Sequence, residues 1–280
     1  MINLPSASVS IGQEGEKALI IKDSIEFMVS KTEASFSNKA QIKLKNLSQE
    51  SISLITKENS FLQLKVLHEG HEKVIFTGDI DSSALSSSGP DDILTIETGD
   101  GEKKLKSSLE FELPKGSQIS EMFQLAASAL GVPTGVIKGL PDGKIKRSRS
   151  FAGAAKDLLD ELCRQFKLSW SVQDGVLKIL PEADKLNLSA IIINPDSGIL
   201  DSISKDDDKR QVTVKCSLNP GITPGRLVEL TSGKYAGTVD AISGKSGGTG
   251  LFKVLSLTHK GNPEGADWVT SFTATLWTGG

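Results

Sequence analysis

Residues 150–180 read SFAGAAKDLLDELCRQFKLSWSVQDGVLKIL, and inside them the spacing of apolar side chains changes. From Ala152 to Phe166, the residues Ala155, Leu158, Leu159, Leu162 and Phe166 recur every three or four positions, which gathers them on one face of a helix. From Leu168 the period falls to two: Leu168, Trp170 and Val172 alternate with Ser169, Ser171 and Gln173. Asp174-Gly175 then turns the chain, and Val176 to Leu180 returns. An Asp-Gly pair between two extended runs is a strong hairpin signal, because a two-residue turn needs positive φ at its centre. The stretch therefore predicts a helix followed by a hairpin.

The same pattern extends backwards. Ile119, Met122, Phe123, Ala126, Ala127 and Leu130 have helical spacing, with Ser117 suited to the N-cap and Gly131 to the C-terminal stop. A linker rich in glycine, proline and charge, Gly135 to Arg149, separates the two predicted helices. Residues 116–182 thus read as a small α+β module of two helices and a hairpin.

On either side the chain reads as β. Within residues 1–115, Ile42 and Leu44 alternate with Lys43 and Lys45, and Leu62, Leu64 and Val66 with Gln63 and Lys65. The polar turn His68 to Glu72 leads to Val74–Ile80, so these two runs form a predicted hairpin; Ser82 to Asp92 reads as turn chemistry before Ile93–Ile96. Within residues 183–280, a polar run Ser204 to Arg210 precedes the alternation Val212, Val214, Cys216 and Leu218. Pro220 to Gly225 predicts a stiff double turn, Ser243 to Gly250 a flexible glycine/serine tongue, and Phe252–Leu257 and Trp268–Leu276 the last strands. The expected architecture is mainly β, α+β as a whole, with two β domains at 1–115 and 183–280 flanking the insert at 116–182.

Composition narrows the function classes. The 280 residues are 38% hydrophobic and 24% charged, enough apolar material for a real core. A net charge of −3 argues against a strongly basic nucleic-acid binder. Two cysteines, Cys163 and Cys216, cannot make a disulfide framework, and three histidines leave a thin ligand inventory. No apolar run approaches the length of a membrane span, and Met1–Pro5 lacks the basic and apolar regions of a signal peptide. The expectation is a soluble chain made in a reducing cytoplasm, without membrane insertion.

Each candidate for chemistry has a plainer reading. His68-Glu69-Gly70-His71 is one residue short of the zinc-protease spacing and sits in a turn instead of a helix, so solvated turn histidines are expected. Gly244-Lys245-Ser246 resembles a phosphate loop, but Val239 stands where the first glycine is needed and Gly247–Gly250 forbids the following helix. Asp79 and Asp81, Asp91 and Asp92, and Asp206 to Asp208 lie in polar runs where surface is the default for carboxylates. Cys163 on the second helix and Cys216 on the apolar face of a strand read as small buried hydrophobes, and His259 as a strand-end residue. Gly244-Lys245-Ser246-Gly247-Gly248 has the Gly-x-Ser-x-Gly spelling but no following helix, so it makes no nucleophile elbow. The sequence points to no catalytic residue, no cofactor-binding residue and no metal ligand.

Taken in order, several segments resemble a known family. Residues 150–180 resemble the helix-plus-hairpin segment of phage baseplate hub proteins. LNPGITPGRLVELTS from Leu218 and LFKVLSLTHKGNPEGADWVTSFTATLW from Leu251 resemble the family's last β domain. IKLKNLS at 42–48, VIFTGDIDSSAL at 74–85 and DDILTIETGDGEKKL at 91–105 resemble its front, so the likeness spans roughly residues 35–277. The family is the central hub of contractile tails, of which late control protein D is a member. The resemblance implies two similar, β-barrel-like tube domains per chain and a homotrimer whose pseudo-sixfold ring matches the hexameric tail tube above and the trimeric spike below. It implies as partners the central spike protein, the tail tube protein or tube initiator, baseplate wedge or ring proteins and the tape-measure protein, with DNA only as passing cargo. It implies a place in the virion tail baseplate, after assembly in the host bacterial cytoplasm. The chain is short for the family, which puts a peripheral domain and its baseplate contacts in doubt. Two rivals stay open: a tail-associated cell-wall hydrolase, which requires paired buried carboxylates or convergence of Cys163 with His259, and a carbohydrate-binding tail module, for which three tryptophans and Tyr235 are few stacking platforms.

Overall fold

Alternation along a strand matters only if one face has something to bury, and in this chain each alternating run has it. The computed structural model describes residues 6–13, 18–33, 38–57, 60–99, 107–173, 175–181, 189–195, 198–206, 210–231, 239–240, 249–262, 265 and 267–278. Strands β1 (Ala7–Gly12), β2 (Leu19–Ile21), β3 (Ile25–Thr32) and β4 (Lys39–Lys45) precede helix α1 (Gln49–Ile55), and β5 (Phe61–His68), β6 (His71–Ser88), β7 (Asp91–Gly99) and β8 (Ser108–Leu113) follow it. The middle holds α2 (Ile119–Leu130), β9 (Thr134–Ile137), β10 (Arg149–Ala154), α3 (Ala155–Phe166), β11 (Leu168–Gln173) and β12 (Val176–Pro181). The rest is β13 (Ile191–Ile193), β14 (Ile199–Asp206), β15 (Gln211–Ser217), β16 (Leu227–Thr231), β17 (Thr249–Gly261) and β18 (Trp268–Leu276). The chain is mostly β, as expected.

The chain divides into two compact units, one of Met1–Thr32, Lys39–Gly99 and Lys185–Gly280, the other of Glu33–Asn38 and Asp100–Asp184. The first unit is built on one sheet whose main path runs β14-β15-β18-β17-β3-β4-β7-β6-β5-β1-β2. It contains two hydrophobic cores. The front core gathers Val9, Phe27, Ile42, Leu44, Leu62, Leu64, Phe76 and Ile96. The back core gathers Val212, Val214, Val228, Leu230, Phe252, Val254 and Phe272. Burying each such side chain contributes about 1.5–3 kcal/mol, so the alternation itself sets the register. The joint between front and back is the antiparallel pair β3–β17, Ser256↔Thr32 to Gly261↔Phe27.

The hairpin expected at Leu62–Ile80 is present, turning at Glu69-Gly70 with φ of 51° and 78°, the left-handed pair a two-residue turn demands. Three expectations need correcting here. Ser82–Asp92 is strand for most of its length: β6 continues to Ser88 and pairs with β7, leaving the turn to Gly89-Pro90. Serine-rich strands read as turns because serine is a weak β former, and here the ladder of β7 carries them. Ser204–Asp206 likewise belongs to β14 instead of a loop, while Asp207, Asp208 and Lys209 lie outside the described residues. His259 sits in mid-strand, because β17 runs on to Gly261. The sequence reading also missed α1, whose N-cap hydroxyl, Ser48 Oγ, accepts from the Ser51 amide at 3.2 Å.

The second unit packs α2 and α3 on the sheet β11-β12-β9, beside the two-stranded ladder β8–β10. Met122, Phe123, Ala126, Leu130, Leu158, Leu159, Leu162, Trp170, Leu177 and Ile179 form its core. The hairpin β11–β12 is as expected, with Gly175 at φ 77°; Asp174 lies outside the described residues. Gly131 stops α2 at φ 62°. The helix itself starts at Ile119 with Gln118, not Ser117, at the N-cap; the Gln118 amide donates to Glu121 Oε1 at 3.3 Å. Helix α3 starts at Ala155, three residues later than its periodicity suggests, because Arg149–Ala154 pairs with β8 instead. That pairing draws Ser108–Leu113 into this unit. Within the expected linker, Thr134–Ile137 is a strand parallel to β12.

Candidate functional site

The most extensive built feature of the first unit is the outward face of the run β15-β18-β17-β3-β4-β7. The period of two that sends Phe27, Val29, Ile42 and Leu44 inward sends Met28, Ser30, Gln41 and Lys43 outward. Cross-strand partners on this face satisfy one another. Thr213 and Thr273 hydroxyls are 3.2 Å apart, and those of Ser30 and Thr258 are 3.3 Å apart. Gln41 Nε2 donates to Glu97 Oε1 at 2.7 Å, and Lys43 Nζ lies 3.0 Å from Glu26 Oε1. The result is a polar surface on which hydroxyls meet hydroxyls, Lys43 meets Glu26 and Gln41 meets Glu97 across strands.

Beneath this face, the β3–β17 joint is held by groups the sequence reading did not connect. Gly261 stands opposite Phe27, and a Cβ there would come within 2.3 Å of the Phe27 ring and 2.8 Å of Trp268. Its absence lets Phe27 and Trp268 meet edge to face at 5.5 Å and 77°. Two residues away, His259 is 2% exposed. Its Nδ1 is 2.9 Å from Thr270 Oγ1, which also accepts from the Asn219 amide at 3.0 Å. That amide takes one of the two lone pairs of the Thr270 hydroxyl, so Oγ1 and Nδ1 share one hydrogen bond whose direction is set by the tautomer of the ring. Burial, with the Lys31 charge nearby, pushes the His259 pKa down to about 3. This histidine is a structural group of the joint.

The other candidates fall apart as a site. His68 and His71 flank the hairpin turn as cross-strand neighbours, His68 Nε2 lying 3.9 Å from Glu69 Oε1. No group of three or more histidine, cysteine, aspartate or glutamate side chains with metal-binding geometry occurs among the described residues. Cys163 is buried on α3 and belongs to the second unit's core, whereas Cys216 is buried in the first unit and its thiol is pushed up to about 12 by desolvation. No aspartate or glutamate is among the buried described residues. Asp79 lies on β6 opposite Phe61, and Asp91 and Asp92 close the β6–β7 hairpin with Asn46 and Ser87. Gly244-Lys245-Ser246, the tongue as far as 248, and Tyr235 lie outside the described residues.

No protein-family model matches the sequence, and no curated protein matches it. Solved structures do match its fold. The 43 kDa tail protein of prophage MuSo2 from Shewanella oneidensis superposes with a TM-score of 0.65 at 11% identity, covering 97% of this chain and 98% of the other. A tail protein from Neisseria meningitidis MC58 gives 0.64 at 13%, with coverage of 97% and 98%. The E. coli c3393 protein, a type VI secretion component described as similar to the T4 tail proteins gp27 and gp5, gives 0.63 at 10%, covering 96% of this chain and 77% of that one. The fold is therefore that of phage tail proteins, shared with components of type VI secretion.

Proposed function

We propose that this chain is the structural hub of a phage or phage-like contractile tail baseplate, a homotrimeric adapter that joins the hexameric tail tube to the trimeric central spike and forms part of the DNA conduit. The observation that carries the reading is the fold match to two phage tail proteins over nearly the whole of both chains. The joint between the front and back β segments supports it physically. Two strand blocks per chain, joined edge to edge at β3–β17, let three copies present six blocks, the number a hexameric tube requires.

The role is mechanical and not enzymatic. The outward face of the sheet, with hydroxyls bonded to each other and charges in pairs, suits a wall past which DNA slides without sticking. The spike, the tube protein or tube initiator, wedge or ring proteins and the tape-measure protein are the partners, and the virion tail baseplate, assembled in the bacterial cytoplasm, is the location. The two β segments act as the tube-like domains, and the second unit is the module inserted between them.

Light scattering on the purified chain, alone and mixed with the cognate spike, tests this. A particle near three times 29.8 kDa, formed alone or only with spike, is the expected result. A monomer in both samples would overturn the adapter role.

A further inference from the structure

We propose that the second unit carries a docking surface for a short acidic segment of another protein, on the basic half of the ribbon that continues the β8–β10 ladder. The inference goes beyond the hub reading and stands on the second unit alone. The ladder ends at Leu113↔Arg149, but its two chains stay together past that point. The Gly116 amide donates to the Ile145 carbonyl at 3.0 Å, the Ile145 amide to the Ser117 carbonyl at 2.9 Å, and Gln118 bridges Lys144. The Ile119 amide then donates to the Gly143 carbonyl at 2.8 Å. The charged end of the linker between the two helices is thus held as one side of an antiparallel ribbon.

Burial shows which side chains of this ribbon face out. Leu109, Phe111, Leu113, Ile145 and Phe151 pack against the core of the unit. Glu110, Glu112, Lys115, Lys144, Lys146 and Arg147 are exposed. The outer side is therefore acidic along the ladder and basic beyond it. From Lys138 to Arg149 the chain holds five cations and a single carboxylate, Asp142. Two acids of the helices are engaged elsewhere: Glu161 pairs with Arg149 at 2.8 Å, and Glu121 accepts from the Gln118 amide at 3.3 Å. Lys115, Lys144, Lys146 and Arg147 have no ion-pair partner among the described residues. Lys43, Lys65 and Lys260 of the first unit each have one. Like charges gathered without a counter-charge repel one another, and an acidic ligand relieves that repulsion.

The order of charge along the ribbon selects the kind of ligand. Glu112 is three residues from Lys115, at most about 11 Å along the chain, close to the Debye length of about 10 Å at 0.1 M salt. Duplex DNA and anionic lipid surfaces are negative over a wider span, so either meets Glu110 and Glu112 together with the lysines. The two aromatic rings of the ribbon, Phe111 and Phe151, stack on each other at 6.0 Å and pack inward, which leaves no platform for single-stranded bases. A few consecutive carboxylates on a protein segment cover the basic half alone. Ser148, exposed between Arg147 and Arg149, adds a hydroxyl donor to that half.

The test is fluorescence anisotropy of a labelled hexaglutamate peptide titrated with the full chain in low salt, with duplex DNA and phosphatidylglycerol vesicles as comparison ligands. The variants are Lys144→Glu/Lys146→Glu/Arg147→Glu, the milder Lys144→Gln/Lys146→Gln, and Glu110→Gln/Glu112→Gln, with circular dichroism to check the fold. Expected is peptide binding that added salt reverses. The triple reversal should weaken it at least about tenfold and the double neutralisation about two- to threefold, the sum of exposed ion pairs lost or turned to repulsion. DNA and vesicles should bind the native chain more weakly than the peptide, and gain when the two glutamates are neutralised. No peptide binding to the native chain overturns the proposal, and so does undiminished binding by a folded variant lacking the cations. Tighter binding of DNA or vesicles through the same lysines overturns the acidic segment as the ligand.

Discussion

Acidification should weaken the front-to-back joint through one residue, and the size of the effect follows from the geometry around His259. The folded pKa lies at about 3 and the unfolded value at 6.5, so between those limits the unfolded chain holds a proton that the folded chain refuses. Stability is therefore full above 6.5 and falls as pH drops through the window. It stops falling once the folded imidazole also titrates near 3. One proton is worth about 1.4 kcal/mol per pH unit, which gives about 2 kcal/mol lost between pH 7 and pH 5, and about 5 kcal/mol across the window. Whole-domain stability is only about 5–15 kcal/mol, so the lower figure already suffices to be seen.

The assay is urea unfolding at pH 7, 6, 5 and 4, at fixed protein concentration, for the native chain and for His259→Asn. Asparagine keeps a hydrogen-bond partner for the Thr270 hydroxyl and has nothing to titrate, and carboxylates contribute the same background slope to both proteins. The variant starts less stable at pH 7 because it loses ring volume. The difference between the two should shrink by about 2 kcal/mol by pH 5. Parallel pH profiles would refute the reasoning, since the neutral imidazole would then not be what limits the joint in acid.

Other outcomes follow from the same joint and from the second unit. Gly261→Ala should destabilise the chain by about 1–3 kcal/mol, measured as a drop in urea midpoint, because the new Cβ enters the Phe27–Trp268 contact. Asp160→Ala should cost about 1–3 kcal/mol in the same measurement, and change tryptophan fluorescence, by removing the carboxylate that accepts from Trp170 Nε1 at 2.8 Å. Cys163 and Cys216 should resist maleimide at pH 8 in the native protein and react in urea, mass spectrometry counting the adducts; rapid labelling of native Cys216 would contradict its buried, protonated thiol.

What was legible in the sequence, and what was not, divides along a physical line. Alternation at Leu62–Val66 and at Trp268–Leu276 announces strands because each has one buried face, and the helix faces of α2 and α3 announce themselves for the same reason. Where partners decide the outcome, periodicity is silent. Residues 149–154 have the composition to extend α3 and become a strand because β8 is beside them. Ser82–Ser88 has the composition of a loop and becomes a strand because β7 is beside it. His259 looks like a strand-end histidine until β3 and β18 close over it, and no local pattern encodes a neighbour 228 residues away such as Ser30 is to Thr258. The resemblance to tail hubs rested on the order of many weak segments, and it is this order that the fold realises: front strands, helical module and back strands.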